Sequence, residues 1–118
     1  MYLIITIKRV AAKMNNETRV MHEIEIALCE NDCFVLRQNS GIFYTRTGEK
    51  VRIGFPGLSD LLVVNPKGEV AFLEVKPDHK AYKRPKQIKF IEQMKSRGYR
   101  AGFVTTVEEA LNVAIKSK

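Results

Sequence analysis

The sixteen residues Asp60-Leu61-Leu62-Val63-Val64-Asn65-Pro66-Lys67-Gly68-Glu69-Val70-Ala71-Phe72-Leu73-Glu74-Val75 constrain this chain more than any other stretch. Two apolar runs flank a short polar connection containing proline and glycine, the mark of an antiparallel hairpin. A three-residue Pro66-Lys67-Gly68 loop that closes on a left-handed glycine sets Asn65 opposite Glu69. Counting back along both strands sets Asp60 opposite Glu74, on one face, with Cβ atoms about 4.5–5.5 Å apart. Lys76 lies two residues beyond Glu74 and emerges on that same face.

Two carboxylates this close repel each other strongly when both are ionised. A hard divalent cation resolves the conflict, since Mg²⁺ takes one or two carboxylates together with waters and phosphate oxygens. Lys76 beside them suits two roles, orienting or deprotonating a water, or balancing charge on a phosphate. The arrangement fits metal-assisted hydrolysis of a phosphodiester. Glu-x-Lys alone is common at strand ends; Asp60 in register, the glycine-proline loop before it and the basic stretch after Lys76 give it weight.

That basic stretch dominates the charge of the molecule. The 118 residues carry 20 Lys and Arg against 13 Asp and Glu, a net charge of +7. Residues 76–100 hold nine of the cations and only two acids, Asp78 and Glu92, so their own net charge equals that of the whole chain. Such a concentration is the electrostatic footprint of a phosphate-backbone binder. The length suits one domain, 1–118, with a real core. No apolar run approaches the ~20 residues of a membrane span. Residues 2–7 lack the basic lead and cleavage site of a signal peptide, so a cytoplasmic protein is expected. Cys29 and Cys33 are too few for a disulfide framework, and His22 and His79 are far apart, so the thiols read as buried or idle rather than ligating.

Elsewhere helix and strand signals alternate without repeats or linkers. Residues 1–13 leave three readings open: a strand, an extra helix, or a cover for a neighbouring subunit. Asn15 or Asn16 caps a helix to about Glu30. Its wheel gathers Val20, Met21, Ile24, Ala27 and Leu28 on one stripe, with Ile26 pointing away. Glu17 falls in the middle of that stripe, and a wet cleft at the helix end is one reason for a carboxylate there. Residues 33–38 read as a strand, Asn39-Ser40-Gly41 as a turn, and 44–53 as an extended stretch interrupted near Gly48. A stiff loop, 54–59, leads to the hairpin. Pro85 starts a helix closed by Gly98, with Ile88, Ile91 and Met94 as its buried stripe and Lys86, Lys89 and Arg97 outside. Residues 101–104 form another strand. The last helix opens on a capping box, either Thr105 with Glu108 or Thr106 with Glu109. Helix, three meandering strands, helix, strand, helix describes an α/β or α+β sandwich around a mixed sheet.

Three segments, Gly54-Phe55-Pro56-Gly57-Leu58-Ser59-Asp60-Leu61-Leu62, Phe72-Leu73-Glu74-Val75-Lys76 and Pro85-Lys86-Gln87, carry a family resemblance. With the upstream Val35-Leu36-Arg37-Gln38-Asn39-Ser40-Gly41 they resemble the VRR-NUC family, the virus-type replication-repair nuclease branch of the PD-(D/E)XK superfamily. The resemblance runs from Glu17 to about Ala110 and implies a PD-(D/E)XK restriction-endonuclease-like core, α-β-β-β-α-β-α, with a mixed central sheet flanked by helices. Spacing back from Arg37 puts the family's helix glutamate on Glu17. By this resemblance Glu17, Asp60 and Glu74, helped by the backbone carbonyl of Val75, hold Mg²⁺ or Mn²⁺. Lys76 is the water-activating or phosphate-contacting lysine, and Gln87 stands near the active site, in contact with water or DNA. Ser59 replaces the proline usual before the aspartate, and Arg84 stands where a serine cap is common; neither change removes a catalytic group.

The implied activity is that of a metal-dependent endodeoxyribonuclease acting on branched DNA, a four-way junction or a flap. Small stand-alone members resemble Holliday-junction resolvases and pair as homodimers, whereas larger relatives carry the module within a flap nuclease. The compact chain fits the stand-alone kind and a phage or prophage origin, with Ile26 and the apolar N-terminus as dimer surface. Arg37, Lys50, Lys80, Lys83, Lys86 and Lys89 are the candidate DNA contacts, reading shape and backbone rather than bases. The alternatives are a flap-type or less selective nuclease, and a non-catalytic DNA-binding module. The second would have lost part of the Glu17, Asp60, Glu74 and Lys76 set, which is present in full.

Overall fold

The hairpin at the heart of the sequence forms the middle of the sheet. The structure, a computed structural model, describes residues 16–38 and 41–117. Residues 1–13, the Asn15 cap and the Asn39-Ser40 turn lie outside the described residues. Helix α1 (Asn16–Glu30) leads into β1 (Phe34–Arg37), then β2 (Gly41–Tyr44), β3 (Lys50–Ile53), β4 (Leu61–Val64) and β5 (Val70–Val75). Helix α2 (Pro85–Ser96), β6 (Arg100–Val104) and α3 (Val107–Ala114) complete the order. Four strands make one mixed sheet, β1-β4-β5-β6, antiparallel except for the parallel pair β5–β6.

Strand alternation divides the core between the two faces of this sheet. Leu61, Val63, Ala71, Leu73, Val75 and Val104 point to one face and are closed over by Ile24 and Leu28 of α1 and Ala110 and Ala114 of α3. Phe72 and Phe103 point to the other and meet Phe90, Ile91 and Met94 of α2. Helix α2 covers β5 and β6 only, so β1 keeps Phe34 and Leu36 at the surface on that side. None of the described helices is long and apolar enough to cross a membrane. Cys29 and Cys33 are free, and burial pushes both thiols up, which disfavours the thiolate.

Three expectations need correction. The extended stretch expected over 44–53 begins earlier, at Gly41, expected within the turn, and folds on itself as a β2–β3 hairpin separate from the main sheet. Hydrogen bonds from the Thr45 amide to the Glu49 carbonyl at 2.9 Å and from the Gly48 amide to the Thr45 carbonyl at 3.0 Å reverse the chain where the break near Gly48 was expected. Ile26, expected to face outward, is 7% exposed and so offers no surface to a second subunit. In α2 the buried stripe runs through Phe90 and Ile91 while Ile88 is exposed. The Phe90 ring meets Phe72 edge-on at 5.4 Å and Phe55 at 5.6 Å, and seating this larger ring turns the helix away from Ile88.

The hairpin turn and α3 hold each other. Asn65 Oδ1 accepts from the Lys67 and Glu69 amides at 2.9 and 3.0 Å, while its Nδ2 donates to the Ala114 carbonyl at 2.9 Å. Gly68, with φ of 82°, takes the left-handed conformation that the loop demands. At the other end of α3 Thr106 caps the helix, its hydroxyl accepting from the Glu109 amide at 3.1 Å. The Glu109 carboxylate reaches back to the Thr105 amide and hydroxyl, both at 2.7 Å, so Glu109 rather than Glu108 completes the cap.

Arg100, counted above among the electrostatic cations, is internal. Its guanidinium donates to the Val113 and Lys116 carbonyls at 3.0 and 2.7 Å and pairs with Glu69 at 3.2 Å. The side chain satisfies carbonyls that the end of α3 leaves open. Arg100→Met keeps the length but orphans these acceptors, and is expected to lower unfolding stability by about 2–3 kcal/mol. A urea titration checks it: a lower midpoint at unchanged slope is expected, and an unchanged midpoint would show the bonds to be dispensable.

Candidate active site

The hairpin register carries the first two functional groups. Leu61 pairs with Leu73 and Val64 with Val70, and one step further along the same ladder Asp60 faces Glu74. Asp60 is fixed from both sides. The Gln38 amide donates to its carbonyl at 2.8 Å, extending the β1–β4 ladder, and Asp60 Oδ2 accepts from the Val75 amide at 2.9 Å. Ser59 is buried and donates its hydroxyl to the Leu61 carbonyl at 3.3 Å. The loop before it is clamped to α2 by the Phe55–Phe90 contact and by Gly57 against the backbone of Lys86.

Gln87 comes from the first turn of α2. Its Nε2 donates to Glu74 Oε1 at 2.9 Å, and its Oε1 accepts from Lys76 Nζ and from the Arg84 amide, both at 3.0 Å. One amide therefore ties Glu74 and Lys76 to each other and to the helix start. The bond to the Arg84 amide is the N3 half of a capping box, and it serves the cap that Arg84 itself, lacking an acceptor, does not supply.

Glu74 is 4% exposed, and its Oε2 is buried without a hydrogen-bond donor. Burial first, then the neighbouring Asp60 charge, pushes its carboxyl up to about 8; Lys76 offsets only part of this. A buried carboxyl oxygen with no hydrogen-bond partner, beside a second carboxylate, is the donor set that a hard cation fits by taking the place of the proton. Among the described residues no group of three or more His, Cys, Asp or Glu side chains gathers as a metal cluster, so the acidic centre is the Asp60–Glu74 pair.

Glu17 stands apart from that pair. It is exposed at the start of α1, the helix that packs on the sheet face opposite Glu74, rather than in a buried stripe. A cavity of about 590 Å³ nevertheless joins it to Asp60, with Arg37, Gln38, Phe43 and Ile53 along the same wall. Arg37 is held by Glu25 at 2.8 Å, so part of its charge is answered within the protein. Lys50, Lys80, Lys86 and Lys89 are exposed, and the Lys83 ammonium lies 5.0 Å from the centre of the Phe103 ring. The Glu25–Arg37 pair and the Phe43–Ile53 wall were not anticipated from sequence. Alternation of apolar and basic residues in 41–53 was the available signal, but it does not say where the hairpin leans.

The same arrangement of elements occurs in known proteins. A solved structure described as a VRR_NUC domain superposes with a TM-score of 0.62 at 26% identity, over 82% of this chain and 91% of its own. No curated protein matches the chain. The family model of the VRR-NUC domain matches residues 8–108, a span that takes in every element from α1 to β6. The chain belongs to the VRR-NUC family, nucleases of the PD-(D/E)XK type.

Proposed function

We propose that the protein is a divalent-metal-dependent endodeoxyribonuclease that hydrolyses phosphodiester bonds in branched DNA, a Holliday junction above all, and that it acts as a homodimer. The observation that carries the reading is the buried Glu74 carboxyl, with its unpartnered Oε2, beside the half-buried Asp60. Nucleases of this type generally use divalent metals, and carboxylate oxygens select Mg²⁺ or Mn²⁺ over softer ions. Asp60 and Glu74 would hold the ion with the Val75 carbonyl, and Glu17 would reach it across the cavity. When bound, the ion supplies charge neutralisation at the phosphate and lowers the barrier to attack by water.

The remaining roles belong to the chain itself. Gln87 fixes the rotamer of Glu74 and keeps the Lys76 ammonium within reach of the carboxylates. Lys76 thereby presents a positive charge and a proton where a scissile phosphate enters. Arg37, Lys50, Lys80, Lys83, Lys86 and Lys89 would steer and hold the backbone on either side, each contributing a small, salt-sensitive increment. The exposed Phe34 and Leu36 of edge strand β1 support pairing of two copies, because an apolar edge left open invites another chain.

The test compares a labelled four-way junction, a flap and a linear duplex, with Mg²⁺ or Mn²⁺ against EDTA, alongside the mass in solution. Paired symmetric cuts in the junction by a dimer are expected. Preferred cutting of the flap by a monomer would replace the resolvase reading, and binding without metal-dependent cleavage of any substrate would leave a DNA-binding module.

A further inference from the structure

The β2–β3 hairpin lends Phe43 and Ile53 to the wall of the cavity beside Asp60, but its apolar face has been given no role. Its register places Phe43 opposite Val51 and Gly41 opposite Ile53 on one face, with Tyr44 opposite Lys50 and Ile42 opposite Arg52 on the other. Phe43 and Ile53 line the same cavity as Glu17 and Asp60. Phe43 is 45% exposed and Ile53 49% exposed, although both face a cleft. Among the described residues the hairpin has no substantial packing against any helix or other strand. A two-stranded ribbon with apolar side chains open on both faces is marginal by itself and calls for an occupant.

The charge of the hairpin limits what that occupant is. Arg46, Lys50 and Arg52 stand against Glu49 alone. Lys50 and Arg52 lie on the face away from Phe43, so they favour a polyanion beside the hairpin without themselves covering the ring. On the Phe43 face a nucleotide fits, because its base presents a π-face to the ring and its phosphate can meet Arg37, which lines the same cavity. The position is also the right one: a base lying on Phe43 leaves its backbone in the cavity where Asp60 opens.

We propose that the Phe43 face of the hairpin is a stacking platform for an unpaired base of the DNA, seated beside the Asp60–Glu74 centre. The inference rests on the nuclease reading and deepens it, since it assigns the preference for branched DNA to bases freed at the branch rather than to backbone shape alone. A fully paired duplex offers no free base face and gains nothing from the platform.

The test is binding in EDTA, where no cleavage occurs, to a gapped duplex carrying 2-aminopurine in the gap and to an intact duplex of the same length. Stacking on an aromatic ring quenches 2-aminopurine. Phe43→Ala is expected to weaken binding to the gapped DNA about tenfold and to abolish the quench, with the intact duplex changed less than about twofold. Phe43→Trp is expected to restore both, which separates loss of the ring from loss of the hairpin. Tyr44→Ala, on the opposite face, is expected to leave both within about twofold. Equal weakening on the two DNAs, or an equal effect of Tyr44→Ala, would overturn the proposal. So would a shift from dimer to monomer without a selective DNA effect, which would give this face to a second copy. Cleavage by the wild type with an unaffected Phe43→Ala variant would sink the platform alone, whereas quenching without any metal-dependent cleavage would sink the nuclease reading alone.

Discussion

Glu74→Gln is expected to remove metal-dependent cleavage by about a thousandfold or more while making the metal-free protein harder to unfold at alkaline pH. Both effects come from one buried oxygen. The wild-type carboxyl, pushed up to about 8, binds its proton in the folded protein at pH values where the unfolded chain, near 4.5, has lost it. Between those two values the folded state holds more protons than the unfolded one, so stability falls as pH rises, and above about 8 the full penalty remains. Glutamine is neutral throughout and keeps the size of the side chain, so the slope disappears. The two proteins should melt alike near pH 5 and diverge by a few kcal/mol towards pH 9. A cation that replaces the proton should flatten the wild-type curve and leave the variant unmoved. Melting curves from pH 5 to 9 with EDTA or Mg²⁺, beside a cleavage assay, check each part. Parallel curves for the two proteins would show that Glu74 is not the group under strain.

Gly57→Ala is expected to lower stability by about 3–4 kcal/mol and to reduce cleavage with it. Gly57 has φ of +91°, a conformation that costs any L side chain. A Cβ there would also stand 2.7 Å from the carbonyl carbon of Lys86, and closer still to its oxygen. The obstacle is helix backbone, which cannot swing aside as a side chain does. Relief requires α2 to slide away from the 54–59 loop. Gln87 is the next residue, so the slide pulls its amide off Glu74 and Lys76. Chemical denaturation and cleavage rates should therefore fall together, whereas Gly48→Ala, at a glycine with open space around it, should lose only the milder penalty of its own φ of +86°. Retention of activity by Gly57→Ala at reduced stability would show that the site does not depend on where α2 starts.

What the sequence determined about this protein lies within reach of a few residues. The Asn65–Glu69 turn fixed the strand register, and period two then delivered Asp60 opposite Glu74 and Lys76 beside it. The span of α1, the start of α2 at Pro85 and the cap of α3 also follow from local hydrogen bonding. Gln87 shares a side of α2 with Ile91 and Met94, and that side brings its amide to Glu74. Tertiary structure decided the rest. A helix wheel shows which residues share a face, but whether that face is covered depends on elements distant in sequence. That is why Phe90 displaced Ile88 and Ile26 turned out buried. Charge shows the same limit. Arg100 and Arg37 are indistinguishable by composition from their basic neighbours. Only the fold shows that one closes the end of α3 and that the other is held by Glu25. Local geometry determines what a side chain can face, and long-range packing determines what it meets there.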